Sequence, residues 1–135
     1  MLTPHVGEFS RLSSLSVEQV NAERESHART FAQQWRQHVL LKGAFTVIAE
    51  PDGQVTLLPF ANPALATAGS GDVLSGIIVG LMAQGVAPRD AAIAGGYLHG
   101  LAGELARGEI GDAGTLASDL LPRIPRALRQ LKGAS

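Results

Sequence analysis

Residues 62–85, NPALATAGSGDVLSGIIVGLMAQG, carry a single charge in twenty-four positions, the carboxylate of Asp72. From Val73 onward the stretch reads as a helix, with Val73, Leu74, Ile77, Ile78 and Leu81 on one face. The most apolar window, Val73 to Ala83, is too short to span a bilayer and carries Ser75, Gly76 and Gly80. Such a helix needs protein around it, which points to a layered architecture. Gly76 and Gly80 fall on a second face. Their spacing predicts close approach of a neighbouring backbone, against a helix-propensity cost of about 1 kcal/mol for each glycine.

The segments on either side say what the layers are. HVLLKG and FTVIAE are short aliphatic runs, PDGQ is a turn and VTLLPF a returning strand, so a β-hairpin is expected from about Phe45 to Phe60. Ahead of it, MLTPH looks like the end of a strand running into a loop, and Glu8 to Leu12 form a helical turn. Ser16 is a candidate N-cap, with Gln19 completing a capping box. Val17 to Gln37 reads as one or two amphipathic helices, with Ala28, Phe31, Ala32 and Trp35 at helical spacing. Trp35 is expected in the core. Downstream, APRDAAIAGGYLHGLAGELARG reads as a helix with Leu98, Leu101, Ala102 and Leu105 as its stripe. Thr115 is expected to cap a third helix, which Pro122 restarts at a first-turn position. Arg123, Arg126, Arg129 and Lys132 read as a solvated face suited to a helix C-terminus. Strands followed by packed helices make an α/β chain.

Composition bounds the function. The chain has 135 residues, enough for one domain, with 45% hydrophobic and 17% charged residues. Eleven basic and twelve acidic residues give a formal charge of −1, so no basic field is present to hold nucleic acid. The absence of cysteine excludes disulfides and thiolate metal sites, and with no signal-peptide pattern a cytoplasmic protein without membrane partners is expected. His27, His38 and His99 make no metal-ligand spacing with each other or with nearby acids, and are read as surface or packing residues.

The glycine turn is where chemistry is expected. AGSGD before an apolar helix places backbone N–H groups at a helix N-terminus, where glycines let a ligand approach and the dipole favours an anion. An acid in that turn would repel a stored phosphate. It suits a site where a phosphoryl group is transferred and a proton must leave the attacking hydroxyl. The plainer role for Asp72 is to complement the dipole of the first turn, worth about 0.3–1 kcal/mol. Spacing alone leaves both open. No G-x-x-x-x-G-K-[ST] or G-x-G-x-x-G pattern is present.

Three segments together resemble one superfamily. ATAGSGDVLSGIIVGLMAQG resembles the G-[TS]-G-D signature of ribokinase-like enzymes, and most of all the ADP- or ATP-dependent NAD(P)H-hydrate dehydratases. LTPHVGEFSRL resembles the TPHPGE segment of that family, with Val6 in place of proline, and VLLKGAFTVIAEPDG resembles its KGA-x-T strand pair. The family's domains are longer, and the resemblance covers their C-terminal half. It implies an α/β, ribokinase-like fold of layered sheet and helices, of which residues 1–135 are the C-terminal portion. The missing sheet is expected to be supplied by an N-terminal half or by oligomerisation.

The same resemblance implies the roles of residues. Asp72 would be the catalytic base, facing hydrated NAD(P)H and deprotonating the hydroxyl that attacks the terminal phosphoryl group of ADP or ATP. Gly69, Ser70 and Gly71 would form the anion hole. Lys42, Gly43, Ala44, Phe45 and Thr46, with Gly71, would bind the adenine nucleotide. His5 would contact the hydrated dinucleotide, and Glu8 would help to place magnesium through water. Lys42 either pairs with phosphate or ends a strand in solvent. Two competing readings share these residues: a kinase of a small hydroxylated vitamin precursor, and a non-catalytic chain that binds adenine nucleotide.

Overall fold

Helix starts in the N-terminal part are fixed by side chains that bond back onto the backbone. In the computed structural model, which describes residues 1–133, His5 caps α1 (Val6–Ser13) by accepting from the Gly7 and Glu8 N–H groups through Nδ1, at 3.0 and 3.3 Å. Glu8 reaches back to the His5 N–H at 2.7 Å, completing a capping box. Ser16 and Gln19 do the same for α2 (Val17–Ala22), as their spacing predicts. α3 (Arg24–Trp35) follows, then three strands: β1 (Val39–Leu41), β2 (Val47–Ala49) and β3 (Val55–Leu57).

The sheet has the order β1-β2-β3, and both pairs are antiparallel. Leu40 faces Ile48 across the first pair, and Ile48 faces Thr56 across the second. The expected hairpin is thus β2–β3. Leu2 makes a parallel bridge to Val39, held by hydrogen bonds of 2.8 Å between Leu2 and both His38 and Leu40. One face of the sheet shares a core with the helices. Val39, Leu41, Val47 and Ala49 cluster with Phe9, Val20, Ala28 and Ala32, all buried. Phe31 and Trp35 complete that core, their rings 5.5 and 5.7 Å from Phe9. Trp35 is a packing residue, as expected from its place on the stripe.

The chain divides into two compact units, one of Met1–Ala61 with Pro88–Ile93, the other of Asn62–Ala87 with the chain from Ala94 onward. The second is helical. Asn62 caps a short 3-10 turn, Pro63–Leu65, and α4 (Ser70–Ala83) follows the glycine turn. α5 (Pro88–Ile110) starts with proline in its first turn. α6 (Ala117–Leu120) leads through a 3-10 turn, Leu121–Arg123, into α7 (Ile124–Gly133), so Pro122 does lie at the start of a helical turn.

Three expectations for this unit need correction. A Cβ placed on Gly76 or Gly80 would meet no described atom within 4 Å, and both glycines are exposed. The close approaches involve other glycines: a Cβ on Gly95 would lie 2.8 Å from Ile78 Cγ1, and one on Gly103 would lie 2.6 Å from Leu65. Thr115 does not cap α6. Its hydroxyl is buried with no hydrogen-bond partner among the described residues, Leu116 occupies the cap position, and the Leu116 N–H donates to Asp119 at 2.8 Å. Nor is the whole basic run solvated: Arg123 is largely buried, and it donates to Glu109 as the exposed Arg126 also does. The α5 stripe is built largely of small residues. Ala91, Ala92, Ala102 and Ala106 are buried with Leu98, whereas Leu101 and Leu105 are only half-buried.

Candidate functional site

In the first unit, the structure brings His5, Glu8 and Lys42 together. His5 Nδ1 accepts two backbone hydrogen bonds as a cap, so a neutral imidazole carries its hydrogen on Nε2, 3.6 Å from Glu8 Oε1. Lys42 Nζ lies 3.7 Å from Glu8 Oε2. The His5 backbone N–H holds the Glu8 carboxyl below its usual value; burial opposes this, and the Lys42 and His5 charges add smaller lowering effects. Glu8 therefore has two structural tasks, closing the α1 capping box and pairing with Lys42. It also lines an open groove of about 410 Å³ with Leu2, Thr3, Pro4, Arg11 and Leu12.

The KGAFT segment after β1 has an unusual backbone. Gly43 has φ +144° and Phe45 φ +51°, and the Phe45 side chain stands 55% exposed. A phenylalanine in the left-handed region is uncommon and needs surroundings that hold it there. Arg24, on α3, provides them. Its guanidinium donates to the carbonyls of Ala44 at 2.5 Å, Leu41 at 3.1 Å and Lys42 at 3.2 Å. Thr46 Oγ1 closes the turn onto the Gly43 carbonyl at 3.0 Å, and the Phe45 N–H donates to Phe60 at 2.7 Å. Burial lowers the Arg24 pKa below its ordinary value. Gly43 is needed where it stands for two reasons: its positive φ, and the Arg24 Nη2 that lies 2.8 Å from where a Cβ would be. Sequence reasoning passed over Arg24, because seventeen to twenty residues separate it from the carbonyls it holds.

In the second unit, the glycine turn opens α4 as its sequence predicts. Gly69 is the N-cap in the left-handed region, φ +85°, and provides no side-chain cap. The Ser70 N–H donates to Thr67 at 3.2 Å, and the Asp72 and Val73 N–H groups donate to the Gly69 carbonyl at 3.0 and 3.1 Å. The Gly71 N–H has no partner among the described residues, so of the first-turn amides it is the one open to an anion. Asp72 follows at once, exposed, with its carboxylate in the first turn. Ser70 is different. Its side chain is 3% exposed and turned inward, with Oγ 3.1 Å from His99 Nε2, which also lies 3.0 Å from the Ser70 carbonyl oxygen.

The chain as a whole has counterparts among known proteins. A family model described as NAD(P)H-hydrate dehydratase matches residues 1–126. This chain belongs to the NAD(P)H-hydrate dehydratase family. It is 49% identical over 132 residues to the bifunctional NAD(P)H-hydrate repair enzyme Nnr of Moorella thermoacetica, covering 98% of this chain and 25% of that protein. It is 41% identical over 127 residues to the ADP-dependent (S)-NAD(P)H-hydrate dehydratase of Bacillus subtilis, covering 92% and 46%. A crystal structure of the Bacillus subtilis ADP/ATP-dependent NAD(P)H-hydrate dehydratase, co-crystallised with ATP/Mg²⁺, superposes with a TM-score of 0.92 at 38% identity, over 96% of this chain and 47% of that one. A ribokinase-like superfamily protein from Enterococcus faecalis matches at 0.73 and 30%, over 95% and 44%. The fold is therefore the α/β, ribokinase-like one.

The chain spans about half the length of the single-function dehydratases it matches, and about a quarter of the bifunctional enzymes. Across the family match lie the residues singled out by motif: His5 and Glu8 at the start of α1, Lys42 to Thr46 after β1, and Gly69 to Asp72 at the start of α4. Read as a surface or packing residue, His99 is a packing residue, buried against the glycine turn, and its contact with that turn is what the sequence did not indicate. Its one sequence signal is its place in YLHG, among small residues of a buried helix face, where an imidazole needs a polar partner.

Proposed function

We propose that the protein dehydrates hydrated NAD(P)H, with ADP or ATP as phosphoryl donor. The observation that carries this reading is the exposed Asp72 carboxylate beside the open Gly71 amide, in a turn with no other charge. Asp72 takes the proton from the hydroxyl of the hydrate, and that oxygen bonds to the terminal phosphorus of the nucleotide. The bond from that phosphorus to the bridging oxygen breaks, releasing AMP from ADP or ADP from ATP. The phosphorylated carbon then loses inorganic phosphate, with a proton leaving the neighbouring position, and the ring double bond is restored. Gly71 N–H, with the α4 dipole behind it, offsets charge on the transferred group. Ser70 contributes backbone rather than its hydroxyl, and Gly69 provides the left-handed entry.

The adenine nucleotide is proposed to lie against Lys42, Gly43, Ala44, Phe45 and Thr46, whose conformation Arg24 maintains, and His5 to meet the hydrated dinucleotide. Magnesium has no cage here: among the described residues no three His, Asp or Glu side chains converge on a metal position. Glu8 is already bonded to the His5 N–H and close to Lys42. Magnesium would arrive on the nucleotide phosphates, with any contact from Glu8 passing through water. Among the described residues no helix is long and apolar enough to cross a membrane.

The test is a substrate comparison on the catalytically competent form. Hydrated NADH and NADPH are offered beside hydroxymethylpyrimidine and thiazole alcohols, each with ADP and with ATP. Reduced dinucleotide and phosphate should appear only from the hydrates. Phosphorylated alcohol in their place would make the protein a small-molecule kinase. Nucleotide binding without turnover of any acceptor would leave a binding chain.

A further inference from the structure

We propose that His99 is a positioning residue that orients and polarises the Ser70–Gly71 peptide, and with it the open Gly71 N–H of the glycine turn. A backbone carbonyl can only accept, so the 3.0 Å contact between His99 Nε2 and the Ser70 oxygen makes Nε2 the protonated nitrogen. The same N–H is shared with Ser70 Oγ at 3.1 Å. The imidazole thus grips Ser70 at two points, one of them the carbonyl of a particular peptide unit.

That peptide unit matters because its other end is the Gly71 N–H. A trans peptide is planar, so its C=O and N–H point in opposite directions, and fixing one fixes the other. The plane is the first peptide of α4, at the end of the helix where the turn leads in, and His99 adds a side-chain hold to it. Ser70 lies between two glycines, whose backbones have the widest conformational range. The N-cap residue makes no side-chain hydrogen bond, and the Gly71 N–H makes none within the described residues. His99 comes from α5, a buried helix that packs closely enough on α4 for Gly95 to tolerate no Cβ beside Ile78. α5 therefore holds the first peptide of α4 from the side. Donation to the carbonyl also draws electron density along the peptide and makes the Gly71 N–H a stronger donor, by about 10–30% in condensed-phase estimates. Asp72, the next residue along, takes its direction from the same turn.

The kinetic part of this inference rests on the proposed phosphoryl transfer; the structural part does not. The experiment has both arms. Imidazole nitrogen NMR on the chain should show His99 protonated at Nε2, and the Gly71 amide should shift on titration with ADP. His99→Phe should speed amide exchange at Asp72 and Val73, which donate to the Gly69 carbonyl, about tenfold or more while Ala102 and Ala106 on α5 keep their protection, and should lower kcat about 10–10²-fold with a smaller change in the nucleotide KM. His99→Gln, whose amide nitrogen reaches close to the position of Nε2, should restore most of both. A His99 protonated only at Nδ1 would overturn the proposal. So would unchanged exchange at Asp72 and Val73 in His99→Phe, or a loss of protection spread evenly over α5 that His99→Gln does not repair. If wild-type protein turns over no hydrate, the functional reading fails, and tautomer and exchange still decide the role of His99.

Discussion

The two units solve the problem of burial in different ways. The first closes around large side chains. Phe9 is fully buried, with the rings of Phe31 and Trp35 against it, beneath a sheet whose β1 and β2 residues are all buried. The second has no buried Phe, Tyr or Trp ring among its described residues and sets small residues among its buried leucines and Ile78: Ala102, Ala106, Ala127 and the close pairs Gly95–Ile78 and Gly103–Leu65. It leaves Val79, Met82, Leu116, Leu121 and Leu128 exposed. A core of large rings derives its stability from area removed from water. A core of small residues derives its geometry from how closely backbones approach. The glycine turn belongs to the second kind, and this is why particular contacts, such as that of His99, matter there more than bulk.

That contrast can be broken by substitution, and the largest effect should come from the aromatic core. Phe9→Ala should cost about 3–5 kcal/mol, because a fully buried ring leaves a cavity between Phe31 and Trp35. Urea unfolding measures it, and a cost below 1 kcal/mol would mean that the unit does not depend on its rings. Gly95→Ala should cost about 1–3 kcal/mol, since the added methyl meets Ile78 side chain and backbone. The double variant with Ile78→Val should recover part of that loss, and simple additivity would show that the two do not touch.

Gly80→Ala should move in the opposite direction, stabilising by about 0.5–1 kcal/mol. It places a methyl in open space on an exposed helix face and removes backbone freedom from the unfolded chain. A destabilised Gly80→Ala would show that something covers this face. The smallest effect concerns charge. Hydrogen bonds from Arg126 and then Arg123 hold the Glu109 carboxyl below its ordinary 4.5. A carboxyl whose folded pKa is depressed contributes stability above its unfolded pKa, and that contribution is lost as pH falls through the folded value. Glu109 should therefore titrate below 4.5, and Glu109→Gln should reduce the acid-induced loss of stability.

How much of this could be read beforehand depended on distance along the chain. Capping boxes, the hairpin and the start of α4 are written within a few residues, so Ser16 with Gln19, PDGQ between two strands, and Gly69 to Asp72 were all legible. So were the positions of His5, Glu8 and Lys42 to Thr46, through motifs that resemble a family. What escaped was set by packing between segments far apart. Arg24 meets its carbonyls only when α3 lies beside the end of β1, and His99 meets Ser70 only when α5 lies beside α4. Gly76 and Gly80 have the spacing of a close contact, as do other helical glycines, and only the neighbours present distinguish them from Gly95. Arg123 and Arg126 resembled a solvated stripe because their partner, Glu109, stands on another helix. Thr115 has the chemistry of a cap but lies one residue before the cap position.

The most direct test concerns the lone acid of the glycine turn. Asp72→Asn keeps the size and shape of the side chain but cannot accept a proton, so hydrate turnover in the catalytically competent form should fall by about 10²–10⁴-fold. ADP affinity, measured on the same preparation by calorimetry, should stay within a few-fold of wild type. Turnover close to wild type would show that Asp72 is not the base and does no more than complement the dipole of its helix.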